Sequence, residues 1–391
     1  MKKRLVIIAF ILLVIGLMMS PISSHAAEPI KIAGIFALTG RAAHIGTAQR
    51  DAVIIAIDEA NEAGGVNGRR LELVMADTES SPTKAVMALK KVLESEDVVA
   101  IIGPTTTGTA MAMRGFIEKA KIPAFMHSGG DVILQAPLNR KDPKSLPRWT
   151  FKSPYRAAHA MGKICQYAAK KGIKKIGFLY SNEGFGKDGL KNVKVQAPRY
   201  GIKIISQEAF EPKDVDMTAQ LTRINAKGVD AIIAWTVGPP MGIIPKNAKQ
   251  LGIQVPLFEC HGAGDPIFWK VAGEAGEGVM MPSTKIVVAD QLPDSDIQKK
   301  KLLSYIEAYR KRFNREPGTM VAYGADAAYI VVEAIKKVGP DRAKIRDAIE
   351  NTRGYVGLSG IYNLSADDHN GLSMKDIVMI KATGGGWRLL E

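Results

Sequence analysis

Cysteine is nearly absent: Cys165 and Cys260 are the only two in 391 residues. Two thiols do not make a disulfide framework, so a hydrophobic core must hold the fold, and the length leaves room for two domains with sizeable cores. Cys165 lies among alanines in a helical pattern, where a buried thiol is expected. Long apolar runs are scarce as well. Leu5–Met19 is the only one, and it is too short for a comfortable membrane span. The sequence also lacks a G-x-S-x-G elbow, an H-E-x-x-H pair and a Ser/His/Asp set at a recognisable spacing. No catalysis, cofactor or resident metal is therefore expected. No helix-turn-helix precedes the first globular unit, which argues against a DNA-binding regulator.

What opens the chain sets its compartment. Lys2, Lys3 and Arg4 precede the apolar run, and Ser24-His25-Ala26-Ala27 supplies small residues suited to cleavage. Residues 1–26 are expected to be a secretory signal, and no cysteine stands at the cleavage point to carry a lipid. Losing it lowers the formal charge from +14 to +11. The remaining excess is spread over pairs and triplets such as Lys170-Lys171, Lys174-Lys175 and Lys299-Lys300-Lys301. Such runs read as solvated helix faces; a nucleic-acid site would be more concentrated and interleaved with aromatics, so no nucleic-acid partner is expected.

The stretch with most chemistry is Val98–Arg114, VVAIIGPTTTGTAMAMR. It reads as a buried strand, a break at Gly103-Pro104, a hydroxyl-rich turn and the start of a helix. Free N–H groups and the positive end of the helix dipole attract an anion there, and threonine hydroxyls add donors. No Lys-Ser/Thr follows the glycine, which disfavours a nucleoside triphosphate. Elsewhere strands and helices alternate. Strands read at Ile30, Arg70–Met75 and Ile122–Met126, with helices over Ala48–Ala63 and Pro82–Leu93. Past the proline-rich segment 137–148 the alternation restarts, with helices at His159–Lys171, Asp188–Tyr200, Thr218–Lys227 and Met241–Leu251. Strands read at Lys175–Tyr180, Lys203–Ala209, Ala231–Thr236 and Leu257–Cys260. Long helices at Ile297–Phe313 and Met320–Val338 precede a strand-rich tail from Tyr355. Such alternation means right-handed βαβ units and mostly parallel sheets, in two α/β units of similar size.

Several of these stretches resemble one family. NEAGGVNGRRLELVMADTESSPTKAVMALKKVLE, IIGPTTTGTAMA and IPAFMHSGG are similar to the first lobe of the periplasmic binding proteins of branched-chain amino-acid ABC transporters. KKIGFLYSNEGFGKDGL, DAIIAWTVGPPMGIIPKNAKQLGI and EGVMMPS resemble the second lobe, and VAYGADAAYIVVEAIKK a late helix. The resemblance covers nearly all of the mature chain and implies the type I fold of the leucine-binding proteins. That is an α/β architecture of two doubly wound lobes joined by a three-segment hinge, with one ligand in the cleft. Lobe 1 would span 28–150 and 280–355, and lobe 2 would span 151–279 and 356–391. The protein would be periplasmic, monomeric and served by an inner-membrane permease.

The resemblance also implies a set of cleft residues. Thr107 would bind the ligand carboxylate, with Thr109 nearby; Ser128, Gly129 and Gly130 would line the next turn. That turn departs from the family pattern in carrying His127 and two glycines. Phe185 stands where an aromatic covers the ligand, in place of the usual tyrosine, with a core role as the alternative. His44 and Ile45 lie in the turn that lines the mouth. Trp235 ends a strand and fits core or cleft wall equally.

The largest departure is His261, which falls where amino-acid-binding members place the acid that pairs with the α-ammonium. A buried ammonium without a counter-charge costs several kcal/mol. Glu259, Glu183 or Asp131 would have to compensate. Taken at face value, hydroxyls, glycine N–H groups and histidines favour a carboxylate without an α-amine, while Phe185 and Ile45 suit an aromatic or branched body. A protonated His261 would make such binding tighten as pH falls towards about 6. The alternatives are an amino-acid importer component and a ligand sensor acting through a partner protein. His44, His127 and His261 sit on three separate turns, so a shared metal would require the fold to bring them together.

Overall fold

In the computed structural model, which describes residues 28–135 and 147–391, strand and helix alternate as the apolar periodicity predicts. The expected signal segment and most of the proline-rich segment lie outside the described residues. Along the chain, β1 (Ile30–Phe36) leads through α1 (Ala43–Glu62) to β2 (Leu71–Asp77), α2 (Pro82–Ser95), β3 (Val98–Ile102), α3 (Thr107–Ala120), β4 (Ala124–Met126), a short α4 (Val132–Gln135) and β5 (Thr150–Lys152). The second run is α5 (Ala157–Lys170), β6 (Lys175–Ser181), α6 (Gly184–Arg199), β7 (Lys203–Phe210), α7 (Thr218–Asn225), β8 (Ala231–Trp235), α8 (Pro240–Gln250), β9 (Leu257–Glu259), α9 (Pro266–Ala272) and β10 (Met280–Ser283). Then follow α10 (Lys299–Phe313), α11 (Thr319–Val338), α12 (Arg342–Glu350), β11 (Tyr355–Val356), β12 (Ile361–Tyr362), β13 (Val378–Thr383) and β14 (Gly386–Leu389).

These strands make two α/β lobes of the type I periplasmic binding protein architecture. One sheet has the order β2-β1-β3-β4-β5 with every pair parallel. The other runs β14-β13-β10-β9-β8-β6-β7, parallel from β7 to β10 and antiparallel at β13 and β14. The central strands β3 and β8, VVAII and AIIAW, are buried at every position, as helices on both faces require. In each lobe the strand order reverses beside the first strand, between β1 and β3 and between β6 and β8. Crevices at such reversals, off the carboxyl ends of the strands, are where open α/β sheets take ligands.

Strand pairing shifts the expected lobe divisions. Thr150–Lys152 pairs with β4, so the first crossing comes after Lys152 and not at 150. Met280–Ser283 pairs with β9 and β13 in the second sheet, so the second crossing follows Ser283. A short apolar run announces a buried strand but not its sheet. Helices α1 and α6 begin several residues earlier than their periodicity suggests, since Gly46, Gly184 and Gly186 weaken the local signal. Residues 266–272 form a helix that the periodicity did not reveal.

The three crossings meet at Tyr155. Its fully buried hydroxyl lies 3.0 Å from the Ser359 carbonyl oxygen and 3.3 Å from those of Ser283 and Asp376, reaching both other crossings. Beside it, buried Lys152 donates to the carbonyls of Pro154 and Tyr155 and sits 3.7 Å from the Asp131 carboxylate. Two carboxylates then bond across the lobes. Asp131 accepts from the Ala157 and Ala158 amides that open α5, at 2.7 and 2.9 Å. Asp188 on α6 accepts from the Asp131 and Val132 amides, at 2.8 and 3.3 Å.

Tyr155→Phe keeps the ring and removes the bond that the crossings share. It should lower stability by about 1–3 kcal/mol, the cost of orphaning a buried partner, in urea denaturation. Unchanged stability would contradict this placement of the hydroxyl.

Candidate functional site

The turns after β1, β3, β4, β6, β8 and β9 converge on a partly open cavity of about 40 Å³ between the lobes. Two helices open onto it from opposite sides. α3 starts at Thr107 and α6 at Gly184, and a Cβ at Gly184 would lie 3.6 Å from the Gly108 nitrogen. The Thr107 and Gly108 amides donate to nothing among the described residues, and neither do those of Gly184 and Phe185. Unsatisfied N–H groups and two positive dipole ends thus face one small space.

The threonine turn divides its work. The Thr106 and Thr109 hydroxyls cap α3 reciprocally, the Thr109 amide reaching Thr106 Oγ1 and the Thr106 amide reaching Thr109 Oγ1 at 3.2 Å. Thr109 therefore serves its own helix and does not line the cavity. Thr107 does line it, and its Oγ1 accepts from the Gly130 amide at 3.1 Å, leaving the hydroxyl proton free. Ser128 donates to the Pro104 carbonyl at 2.8 Å, so its hydroxyl is already used. Gly130 must lack a side chain because a Cβ would sit 2.6 Å from Thr107 Cγ2. Gly129 lines the cavity, and a Cβ there would come within 2.8 Å of the Phe185 ring and 3.0 Å of His261 Nε2.

Ile45, Phe185 and His261 also line the cavity, as expected. Trp235 does not. It is fully buried behind the wall, its ring centroid 5.5 Å from Phe185 and 5.7 Å from His261, holding both in place. His44 lies near Gly238 outside the lining. The sequence reading left out Val237, Met320 and Tyr323 altogether. Val237 follows β8 by two residues and was within reach of a reading by turns; Met320 and Tyr323 sit on α11, whose approach depends on the three-dimensional packing.

The three candidate histidines, His44, His127 and His261, are neutral. Burial pushes His127 and His261 down to about 3 and His44 down to about 4. The expectation of a protonated His261, with binding that tightens towards pH 6, is therefore corrected: desolvation disfavours the charged ring and the Lys152 ammonium lowers it further. Among the candidate acids, Asp131 is spent on α5. Glu259 is fully buried with both oxygens unpartnered, and burial pushes it far above the usual carboxylate range, so it is uncharged. Only Glu183 faces the cavity, and Arg41 from the other lobe pairs with it. Among the described residues lining the cavity, no uncompensated charge of either sign remains. Among the described residues no three His, Cys, Asp or Glu side chains come together as a metal site. Both cysteines are free and buried, each thiol pushed up to about 12.

Residues 29–385 match the periplasmic binding protein family, and the chain belongs to it. This family is a class of solute-binding proteins and not of catalysts. A curated relative, the leucine-, isoleucine-, valine-, threonine- and alanine-binding protein of Pseudomonas aeruginosa, is 26% identical over 327 residues, 83% of each chain. Among solved structures, an extracellular ligand-binding receptor from Rhodopseudomonas palustris HaA2 superposes with a TM-score of 0.84 at 24% identity, covering 93% of this chain and 99% of that one. An ABC-transporter solute-binding protein from R. palustris in complex with benzoate gives 0.79 at 21%, covering 93% and 95%. At these identities the two structures attest the fold.

Nitrogen NMR of the imidazoles should find His127 and His261 neutral from pH 8 down to 5. An unfolded imidazole takes up its proton near pH 6.5, the folded ones only at about 3. The unfolded state thus binds more protons in between, and each ring costs stability as pH falls, by up to about 1.4 kcal/mol per pH unit. His261→Gln should remove one such increment from the pH slope of stability. A His261 resonance titrating near 6.5 would contradict the neutral cavity.

Proposed function

We propose that this protein binds a small organic carboxylate lacking an α-amine in the cavity between its lobes and delivers it, in the periplasm, to the permease of an ABC importer. The observation that carries the reading is the pairing of two unsatisfied helix N-termini with the absence of any free carboxylate to meet an ammonium. A carboxylate would accept from the Thr107 and Gly108 amides and from the Thr107 hydroxyl, on the lobe-1 side. Ile45, Phe185, Val237 and Met320 would enclose an aromatic or branched hydrocarbon body. Contacts to both lobes favour the closed form, which is what a permease would recognise. The benzoate named for the R. palustris structure is of this chemical kind.

A second reading, an amino-acid ligand, is favoured by Glu183. It faces the cavity, and an incoming ammonium would compete with Arg41 for it. The names of the curated relatives support this alternative. The periplasmic location rests on the basic and apolar pattern of residues 1–26.

A thermal-shift screen of short aliphatic and aromatic acids identifies a carboxylate, since a ligand of the folded state raises the melting temperature with concentration. Calorimetry on Thr107→Ala then tests the anion site. Charge-assisted hydrogen bonds contribute about 1.5–3 kcal/mol, so affinity should fall by about one to two powers of ten. Affinity within a factor of two of the unmutated protein would remove Thr107 from contact with the ligand.

A further inference from the structure

Three polar side chains on the cavity wall have no hydrogen-bond partner among the described residues. His127 is 2% exposed and neither ring nitrogen is hydrogen-bonded. Tyr323 is 1% exposed with a free hydroxyl, and His261 is 2% exposed with Nδ1 free. Buried polar groups are normally bonded, and each orphan costs about 1–3 kcal/mol. Three at one cavity are therefore a deficit that a bound molecule would make good. They are not needed for the carboxylate, which the opening of α3 already supplies with N–H and O–H donors.

From these groups we infer a second, uncharged polar subsite: the ligand carries, besides its carboxylate, a hydroxyl or carboxamide that bonds to Tyr323 and His127, with His261 beside it. This rests on the carboxylate reading above and narrows its substrate class. The chemistry selects the group. A neutral imidazole offers one N–H and one lone pair, and a phenol donates and accepts, so the set complements a group that also does both. An ammonium offers donors only and would be buried without a counter-ion. A second carboxylate would leave the imidazole lone pairs unmet and bring a charge into an aromatic enclosure. The rings are fixed for this role. His127 stacks on Phe36 at 5.9 Å, Tyr323 meets Tyr155 edge-on at 5.7 Å, and His261 is bracketed by Phe185, Trp235 and Tyr155. With so little reorientation available, the subsite should discriminate by position as well as by chemistry.

Calorimetry on matched probes tests this: benzoate against its three monohydroxy isomers, and 3-methylbutanoate against its 2- and 3-hydroxy derivatives. At least one hydroxylated probe should bind tenfold or more tighter than its parent. Tyr323→Phe and His127→Phe should each cut that advantage at least fivefold, read as the ratio of hydroxylated to parent affinity within each variant, with circular dichroism showing that the variants fold. Thr107→Ala should weaken parent and hydroxylated probe alike. Parent acids that bind with no hydroxylated probe gaining, or variants that weaken parent and derivative equally, would overturn the subsite and leave the carboxylate reading intact. Corresponding amides and alcohols binding with Tyr323 dependence where no carboxylate binds would overturn the anion site and uphold the polar subsite.

Discussion

Two helices that begin face to face across a cleft constrain everything around them. The starts of α3 and α6 both present unpaired N–H groups, and their positive ends oppose each other with little room between. Such an arrangement is unfavourable when dry and unoccupied, and it favours an anion or a carboxylate side chain. Glu183 answers part of the need from the start of α6, and Arg41 of the other lobe neutralises it. The close approach also dictates small residues at Gly129 and Gly130, where any side chain would collide with Phe185, His261 or Thr107. The glycines of the turn after β4 thus follow from this close approach, while the imidazoles are neutral because they are buried.

The hinge is tied to the same place. Tyr155 joins the three crossings through its hydroxyl, and its ring contacts both Tyr323 and His261 on the cavity wall. The Asp188 carboxylate accepts from the Asp131 amide and the Asp131 carboxylate from the Ala157 amide, and burial raises Asp188 to about 6 while lowering Lys152 to about 8. Ligand binding and lobe closure therefore act on one contiguous set of packed groups. A solute that fills the cavity bears on rings that abut the hinge itself.

Much of this was legible in the sequence, for physical reasons that differ from element to element. Continuous apolar runs such as VVAII and AIIAW, short and β-branched between turn signals, read as fully buried strands, and Gly103-Pro104 with three threonines announces a helix opening. The likeness of EGVMMPS to the second lobe pointed to the sheet that Met280–Ser283 joins, but the expected division at 280 did not, because that boundary is set by pairing with Leu257–Glu259 and Val378–Thr383. Thr109 and Ser128 were drawn into the site by residue type. Their hydroxyls turn inward because backbone groups at Thr106 and Pro104 needed partners. Tyr323 and Met320 were missed because a helix pattern marks a core face without saying where that face ends and a cavity begins. The charge of His261 depends on the water that packing removes, which no local pattern records.

The central claim is that the cavity takes an anion and has no place for an ammonium. Isothermal titration with 4-methylpentanoate and with leucine, identical but for the α-amine, tests it most directly. The neutral cavity predicts measurable binding of the acid and binding of leucine at least a hundredfold weaker, corresponding to about 2.7 kcal/mol. Leucine binding as tightly as the acid, or more tightly, would contradict it and identify Glu183 as the partner of the ammonium.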